Sequence, residues 1–163
     1  MKTVLLLRHA KSSWSNPKLP DFDRTLNERG RAAAKKMGKY MLKHKLRPDL
    51  VLISPAVRVR ETADLLLKSA ELRIELRQDE RIYQAGPQRL AEVISTIDEE
   101  KKSVLLIGHN PGLEELLLLL TDHDEQMPTA SLAKIKIDVK TWSEVIAEKG
   151  ILEWLVKPRE LSD

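Results

Sequence analysis

The chain has 163 residues, 42% of them hydrophobic, and no cysteine. That is enough to bury an ordinary core in one domain without covalent staples, and it excludes a disulfide framework and a thiolate metal site. Its 28 Lys and Arg are interspersed with 25 Asp and Glu for a formal net charge of +3, the pattern of a solvated surface rather than of a segregated basic tract.

Met1-Lys2 leads straight into the apolar run Thr3-Val4-Leu5-Leu6-Leu7, with none of the parts of a secretory leader. The run reads as a buried strand over 3–8, and Arg8-His9-Ala10 stands at its carboxyl end, where α/β sheets place their chemistry. Residues 11–26 then turn to Ser, Asn, Pro and Asp, with Trp14 and Phe22 as the only aromatics. A long loop beginning directly after His9 is expected to fold over the mouth of a site. Trp14 either lines the entrance or pins this loop, and Arg24 is expected in a loop salt bridge with Asp21 or Asp23.

A helix is expected over 27–45, carried by Ala33, Met37, Tyr40, Met41 and Leu42 on one face. Its basic cluster Arg29, Arg31, Lys35, Lys36, Lys39, Lys43 and Lys45 has no interleaved aromatics, so nucleic acid is not an expected partner. A second strand, 50–54, ends in Ser54-Pro55. The helix after it, 57–70, carries Arg58 in its first turn and Thr62 one turn on. An arginine at a helix start beside a strand end can fork two phosphate oxygens, and Thr62 is placed to brace it.

A strand at 73–77 and a helix at 87–99 follow; Pro87 suits a first helical turn, and Leu90, Val93, Ile94 and Ile97 mark the buried side. The run Ser103-Val104-Leu105-Leu106-Ile107 predicts a strand over 103–108, which enters Gly108-His109-Asn110-Pro111-Gly112 and a helix over 112–121. Backbone N–H groups at that helix start are expected to face the pocket beside His109. No Gly-Lys-Ser/Thr follows these glycines, so the pattern is not a Walker-type nucleotide loop. Strands at 131–138 and 151–157 complete a mixed, mostly parallel sheet in a three-layer α/β/α sandwich.

His44 and His123 fall in polar surroundings and are expected on the surface, and Trp142 and Trp154 in packing roles. Two adjacent carboxylates after His123 do not make a closed metal site, so no metal or other cofactor is expected. The longest apolar stretch, Leu116 to Leu120, is far shorter than the ~20 residues of a bilayer span. A cytoplasmic protein without a membrane partner is the expectation.

Arg8-His9, Ser54-Pro55-x-x-Arg58-x-x-x-Thr62 and Gly108-His109, each at a strand end and in this order, resemble the histidine phosphatase superfamily with its phosphoglycerate mutase-like fold. Arg8-His9-Ala10-Lys11-Ser12 and Asp23-Arg24-x-Leu26-x-x-x-Gly30 are most similar to its SixA-type phosphohistidine phosphatases. Ala10 departs from the glycine most of the superfamily has there, a change shared with the SixA-like subset. The agreement runs over essentially the whole chain.

The resemblance implies that His9 is a nucleophile forming a phosphohistidine intermediate, with Arg8, Arg58 and His109 completing the phosphate pocket. It makes Glu80, in Asp79-Glu80-Arg81-Ile82-Tyr83, the candidate proton donor, and Lys11 and Ser12 candidate phosphate contacts. Asn16 is one residue out of register with a phosphate-contacting asparagine of mutase relatives and is not counted. The implied reaction is hydrolysis of a phosphomonoester or phosphoramidate without a metal. A phosphohistidine on another protein is the first-choice substrate, a small phosphorylated metabolite the second, and an idle phospho-binding module the non-enzymatic alternative.

Overall fold

Alternation along the apolar runs decides the layers. A computed structural model describes residues 1–162 and contains β1 (Lys2–Arg8), α1 (Glu28–Lys43), β2 (Leu50–Ile53), α2 (Val57–Ser69), β3 (Leu76–Gln78), α3 (Pro87–Ser95), β4 (Ser103–Gly108), α4 (Gly112–Thr121), β5 (Leu132–Ile137) and β6 (Ile151–Val156). Successive strand residues point to opposite faces. Val4 and Leu6 of β1, Leu50 and Leu52 of β2, and Val104 and Leu106 of β4 therefore pack with Leu90, Ile94, Leu113 and Leu117 from α3 and α4. Their neighbours Leu5, Leu7, Val51, Ile53, Leu105 and Ile107 pack with Met37, Met41, Val59 and Leu66 from α1 and α2. A strand apolar at every position is one covered on both faces, and the three expected layers result.

The strand order is β3-β2-β4-β1-β5-β6. β3, β2, β4 and β1 run parallel, and β5 is antiparallel to both β1 and β6. The register Arg8↔Gly108 aligns the ends of β1 and β4, so His9 and His109 leave the sheet side by side. From there the chain departs toward α1 on one face and α4 on the other, which opens a crevice between the two strand ends. No helix among the described residues is long and apolar enough to cross a membrane.

Two elements, β3 and α3, differ from the sequence expectation by more than two residues at one end. β3 lies at 76–78 rather than 73–77, because it pairs in parallel with the short β2 from Val51↔Leu76 to Ile53↔Gln78. An earlier start would set it against Pro48 and Asp49, where proline has no N–H and the Asp49 N–H already donates to Ser103. α3 stops at Ser95 instead of 99, as the Ser95 and Thr96 hydroxyls donate to the Glu92 and Val93 carbonyls and compete for the backbone acceptors that would continue the helix.

The 11–26 loop is tied at its base. Ser12 and Leu26 form an isolated antiparallel bridge, the Ser13 N–H donates to the Thr25 carbonyl at 2.7 Å, and the Asn27 N–H donates to the Lys11 carbonyl at 3.0 Å. Asn27 also caps α1, its side-chain oxygen accepting from the Gly30 N–H at 2.8 Å. Gly30 is required by this close approach, since a Cβ there would lie 2.0 Å from the Lys11 carbonyl oxygen. Backbone on both sides leaves little room to yield, so Gly30→Ala is expected to cost about 1–3 kcal/mol, the usual range for overpacking. Urea denaturation monitored by circular dichroism measures this; an unchanged midpoint would show that the 11–26 stem can shift freely.

Candidate active site

Residues Arg8, His9, Arg58 and His109 meet in the crevice at the ends of β1 and β4. The His9 N–H donates to the Gly108 carbonyl at 3.0 Å, while the Arg8 and His9 carbonyls both accept from the Ala130 N–H, at 3.0 and 3.1 Å. Thr62, fully buried, accepts from the Ala10 N–H at 3.0 Å and donates to the Arg58 carbonyl at 2.7 Å. The expected brace is thus a two-way one, joining the backbone beside His9 to the helix turn that carries Arg58.

The ring tautomers follow from the partners. Arg58 can only donate. Its Nε–H points at His9 Nε2 from 3.4 Å, so Nε2 carries the lone pair and the proton sits on Nδ1, donated to the Ala10 carbonyl at 2.7 Å. Its Nη2 faces His109 Nδ1 at 3.2 Å, which leaves His109 Nε2–H to donate to Ser54 Oγ at 2.8 Å. Ser54 is itself held by the Ala56 N–H at 3.2 Å. The two rings lie 5.4 Å apart between centroids, with the guanidinium joining their inward nitrogens.

His9 is 7% exposed and Arg58 6%. Burial is the main reason that the His9 imidazolium is pushed down to about 3; His109, Arg58 and Arg8 add repulsion, and the Ala10 carbonyl opposes them. Burial likewise pushes His109 down to about 4, with the Arg58 cation next in importance. Both rings are neutral at physiological pH, and an imidazole is a nucleophile only in that form. Arg8 donates to the Met127 carbonyl at 3.1 Å through Nη1, while its buried Nε has no hydrogen-bond partner.

Asp21 was foreseen only as a partner for Arg24. That ion pair is present, Nε to Oδ1 at 3.4 Å, with the guanidinium carbon of Arg24 3.5 Å from the centre of the exposed Trp14 ring. Yet the same carboxylate reaches the site: Oδ2 accepts from Arg58 Nη2 at 3.1 Å and from the Tyr83 hydroxyl at 2.7 Å, and the Asp21 carbonyl accepts from Arg58 Nη1 at 2.7 Å. Burial raises the Asp21 carboxyl, but the Tyr83 hydroxyl and Arg58 outweigh it and hold the group below the ordinary carboxylate range. Asp21, Arg58 and His109 line a cleft of roughly 550 Å³ together with residues 84–86 and 110–112 and Glu115.

The remaining sequence candidates lie outside this cluster. Glu80 is exposed, and among the described residues no hydrogen bond or ion pair joins it to Arg8, His9, Arg58 or His109. Lys11 is exposed and Ser12 is buried in the loop stem opposite Leu26. At the start of α4 the amides that follow Gly112 are engaged within the chain. Leu113 and Glu115 donate to the His109 and Pro111 carbonyls, and the Glu114 N–H reaches Asn110 Oδ1. His44 and His123 are exposed, and Trp142 is fully buried with its indole N–H on the Lys101 carbonyl.

The family model for the histidine phosphatase superfamily, branch 1, matches residues 4–84. An uncharacterised protein of Mycobacterium leprae is 32% identical, across 94% of this chain and all of its own. The crystal structure of an Agrobacterium tumefaciens protein assigned to the phosphohistidine phosphatase SixA is 30% identical and superposes with a TM-score of 0.84, covering 96% of this chain and 98% of that one. A mycobacterial glucosyl-3-phosphoglycerate phosphatase, 15% identical, shares the fold at a TM-score of 0.68, covering 94% and 98% of the two chains.

The depressed imidazoles make stability depend on pH. With folded values of about 3 and about 4 against an ordinary 6.5, the unfolded chain binds more protons than the native one below 6.5. The stability contribution is therefore full above about pH 6.5 and is lost as pH falls toward those values. Urea midpoints between pH 7 and pH 4 are expected to drop, and to drop less in His9→Gln than in wild type; parallel curves would show that His9 ionises freely in the native state.

Proposed function

The chain belongs to the histidine phosphatase superfamily, in its SixA-type form, and we propose that it is a one-domain phosphatase that passes the phosphoryl group through His9. The observation that carries this reading is the pair of donor-only contacts from Arg58, which leave His9 Nε2 as an unprotonated nitrogen beside a guanidinium that lines the cleft. Attack by that nitrogen on phosphorus forms an N–P bond and releases the leaving group; water then attacks phosphorus and returns the electron pair to Nε2. Two lower barriers replace one high one.

Charge spreads over the equatorial oxygens of a transferring phosphoryl group. Arg8, Arg58 and the His109 ring are the groups assigned to those oxygens, acting as fixed dipoles and charges that need no reorganisation during the reaction. When a phosphate dianion lies beside His109 Nδ1, proton uptake there converts the ring from acceptor to donor, and Arg58 Nη2 is freed for the substrate. Lys11 and Ser12 are assigned to the outer phosphate contacts. Glu80 is assigned to protonating a leaving oxygen when the substrate is an ester.

Protein phosphohistidine is the substrate this reading favours, in a cytoplasmic signalling setting. Trp14 stacks on Arg24, which pairs with the cleft residue Asp21, and the cleft can admit a side chain presented by another protein. A volume of roughly 550 Å³ also suits a small phosphorylated metabolite, which is the second reading.

Brief incubation with an aryl phosphate followed by quenching is expected to trap an acid-labile, alkali-stable phosphoprotein in wild type and none in His9→Ala, with turnover persisting in excess chelator. An intermediate that survives loss of His9, or turnover abolished by chelation, would overturn the mechanism. Competition of a phosphohistidine peptide against a panel of metabolite phosphates decides between the two substrate readings.

A further inference from the structure

The Asp21 carboxylate has no part in the reaction just described, although it touches the guanidinium at its centre. We propose that Asp21 is a specificity-determining residue, receiving the protonated ring of a departing imidazole so that the site prefers P–N substrates to phosphate esters. The inference rests on the phosphatase reading and deepens it.

Position along Arg58 is the first argument. Its Nε faces His9 Nε2, and its Nη2 faces both His109 Nδ1 and Asp21 Oδ2, so the nucleophile stands at one end of the Nε–Nη2 edge and the carboxylate, with His109, at the other. A phosphoryl group forked by that edge lies between them. In-line attack from His9 drives the leaving group away from His9, toward the Asp21 end.

The carboxylate is also held in place. Oδ2 receives the Tyr83 hydroxyl and Arg58, Oδ1 faces Arg24, and the Asp21 carbonyl receives Arg58 Nη1. These contacts do not exhaust the acceptor capacity of a carboxylate, and the side chain is 44% exposed, open to a donor arriving from the cleft mouth. Tyr83 stands edge-on to His109, with ring centroids 5.5 Å apart, and gives the leaving ring an aromatic wall. Glu115 also lines the cleft, but it is exposed, and among the described residues no hydrogen bond or ion pair joins it to Arg58 or to either imidazole.

The two substrate classes place opposite charge at this spot. A departing ester oxygen gathers negative charge and is repelled by Asp21. An N-phosphoimidazole protonated on its second ring nitrogen presents an N–H⁺ donor, and a charge-assisted hydrogen bond results. The electrons balance without an added acid: the His9 Nε2 lone pair forms the new N–P bond, the old P–N pair returns to the departing ring, and that ring leaves as neutral imidazole with its one N–H. Water then adds to phosphorus, both its protons staying with the released dihydrogen phosphate as the pair returns to Nε2.

Steady-state kcat/KM on N-phosphoimidazole and on p-nitrophenyl phosphate, measured on the same preparation, gives a ratio independent of the folded fraction. Asp21→Asn, which can still accept from Arg58 and Tyr83, is expected to lower that ratio roughly tenfold or more, with the aryl phosphate rate rising. Tyr83→Phe, which keeps the charge but loosens its hold, is expected to shift the ratio the same way by less. An unchanged ratio in active enzyme overturns the role of Asp21 alone, whether both rates fall because Arg58 is merely positioned or both rise because the carboxylate merely plugs the anion site. Wild-type protein inert on both substrates overturns the phosphatase reading and this inference with it.

Discussion

One guanidinium organises the chemistry of this molecule. Arg58 donates to nitrogens on two histidines that come from strands a hundred residues apart, and it has no lone pair with which to accept. That one-way character dictates where each imidazole proton resides. Everything next to it is arranged to keep it still: Thr62 ties its helical turn to the backbone beside His9, and the Asp21 carbonyl and carboxylate take its two terminal nitrogens. Mutual repulsion among Arg8, Arg58 and the imidazoles is tolerated because the rings are neutral, and they are neutral because they are buried. A single Asp21 carboxylate is shared by Arg24 and Arg58, so positive charge stays in excess beside the rings and favours an incoming anion.

The sheet explains why two such distant histidines meet. β1 and β4 are apolar at nearly every position, so both must be central, and parallel pairing of two buried strands brings their carboxyl ends to the same edge. This was legible in the sequence because a run such as Val104-Leu105-Leu106-Ile107 admits few other structures. Arg58 and Thr62 were legible for a similar reason: helical spacing by four puts them on one face.

What could not be read depended on contacts without periodicity. Asp21 lies 37 residues from Arg58 and 62 from Tyr83, and nothing local in Pro-Asp-Phe-Asp says which way that carboxylate turns; the sequence suggested only its short-range pairing with Arg24. Ser54 was visible as part of a motif, but its task of accepting the His109 proton is a property of the folded crevice. The amides at the start of α4 were expected to serve an anion, whereas the chain spends those of Leu113 and Glu114 on the His109 carbonyl and Asn110 Oδ1. β3 moved because its partner β2 is only four residues long, a limit set by Pro48 on one side and Ser54-Pro55 on the other.

The double acceptance by the Ala130 amide has a wider meaning. Ala130 holds the carbonyls of both Arg8 and His9 from a left-handed backbone, φ 61°, that costs a residue with a Cβ on the order of 1 kcal/mol. The segment just before β5 thus clamps the floor of the crevice, and it sits on the far side of β1 from β4. Geometry at the reacting nitrogen is therefore inherited from the one antiparallel strand of the central sheet, so an insertion or deletion in the 122–131 connection would be transmitted to the chemistry without altering a single reacting group.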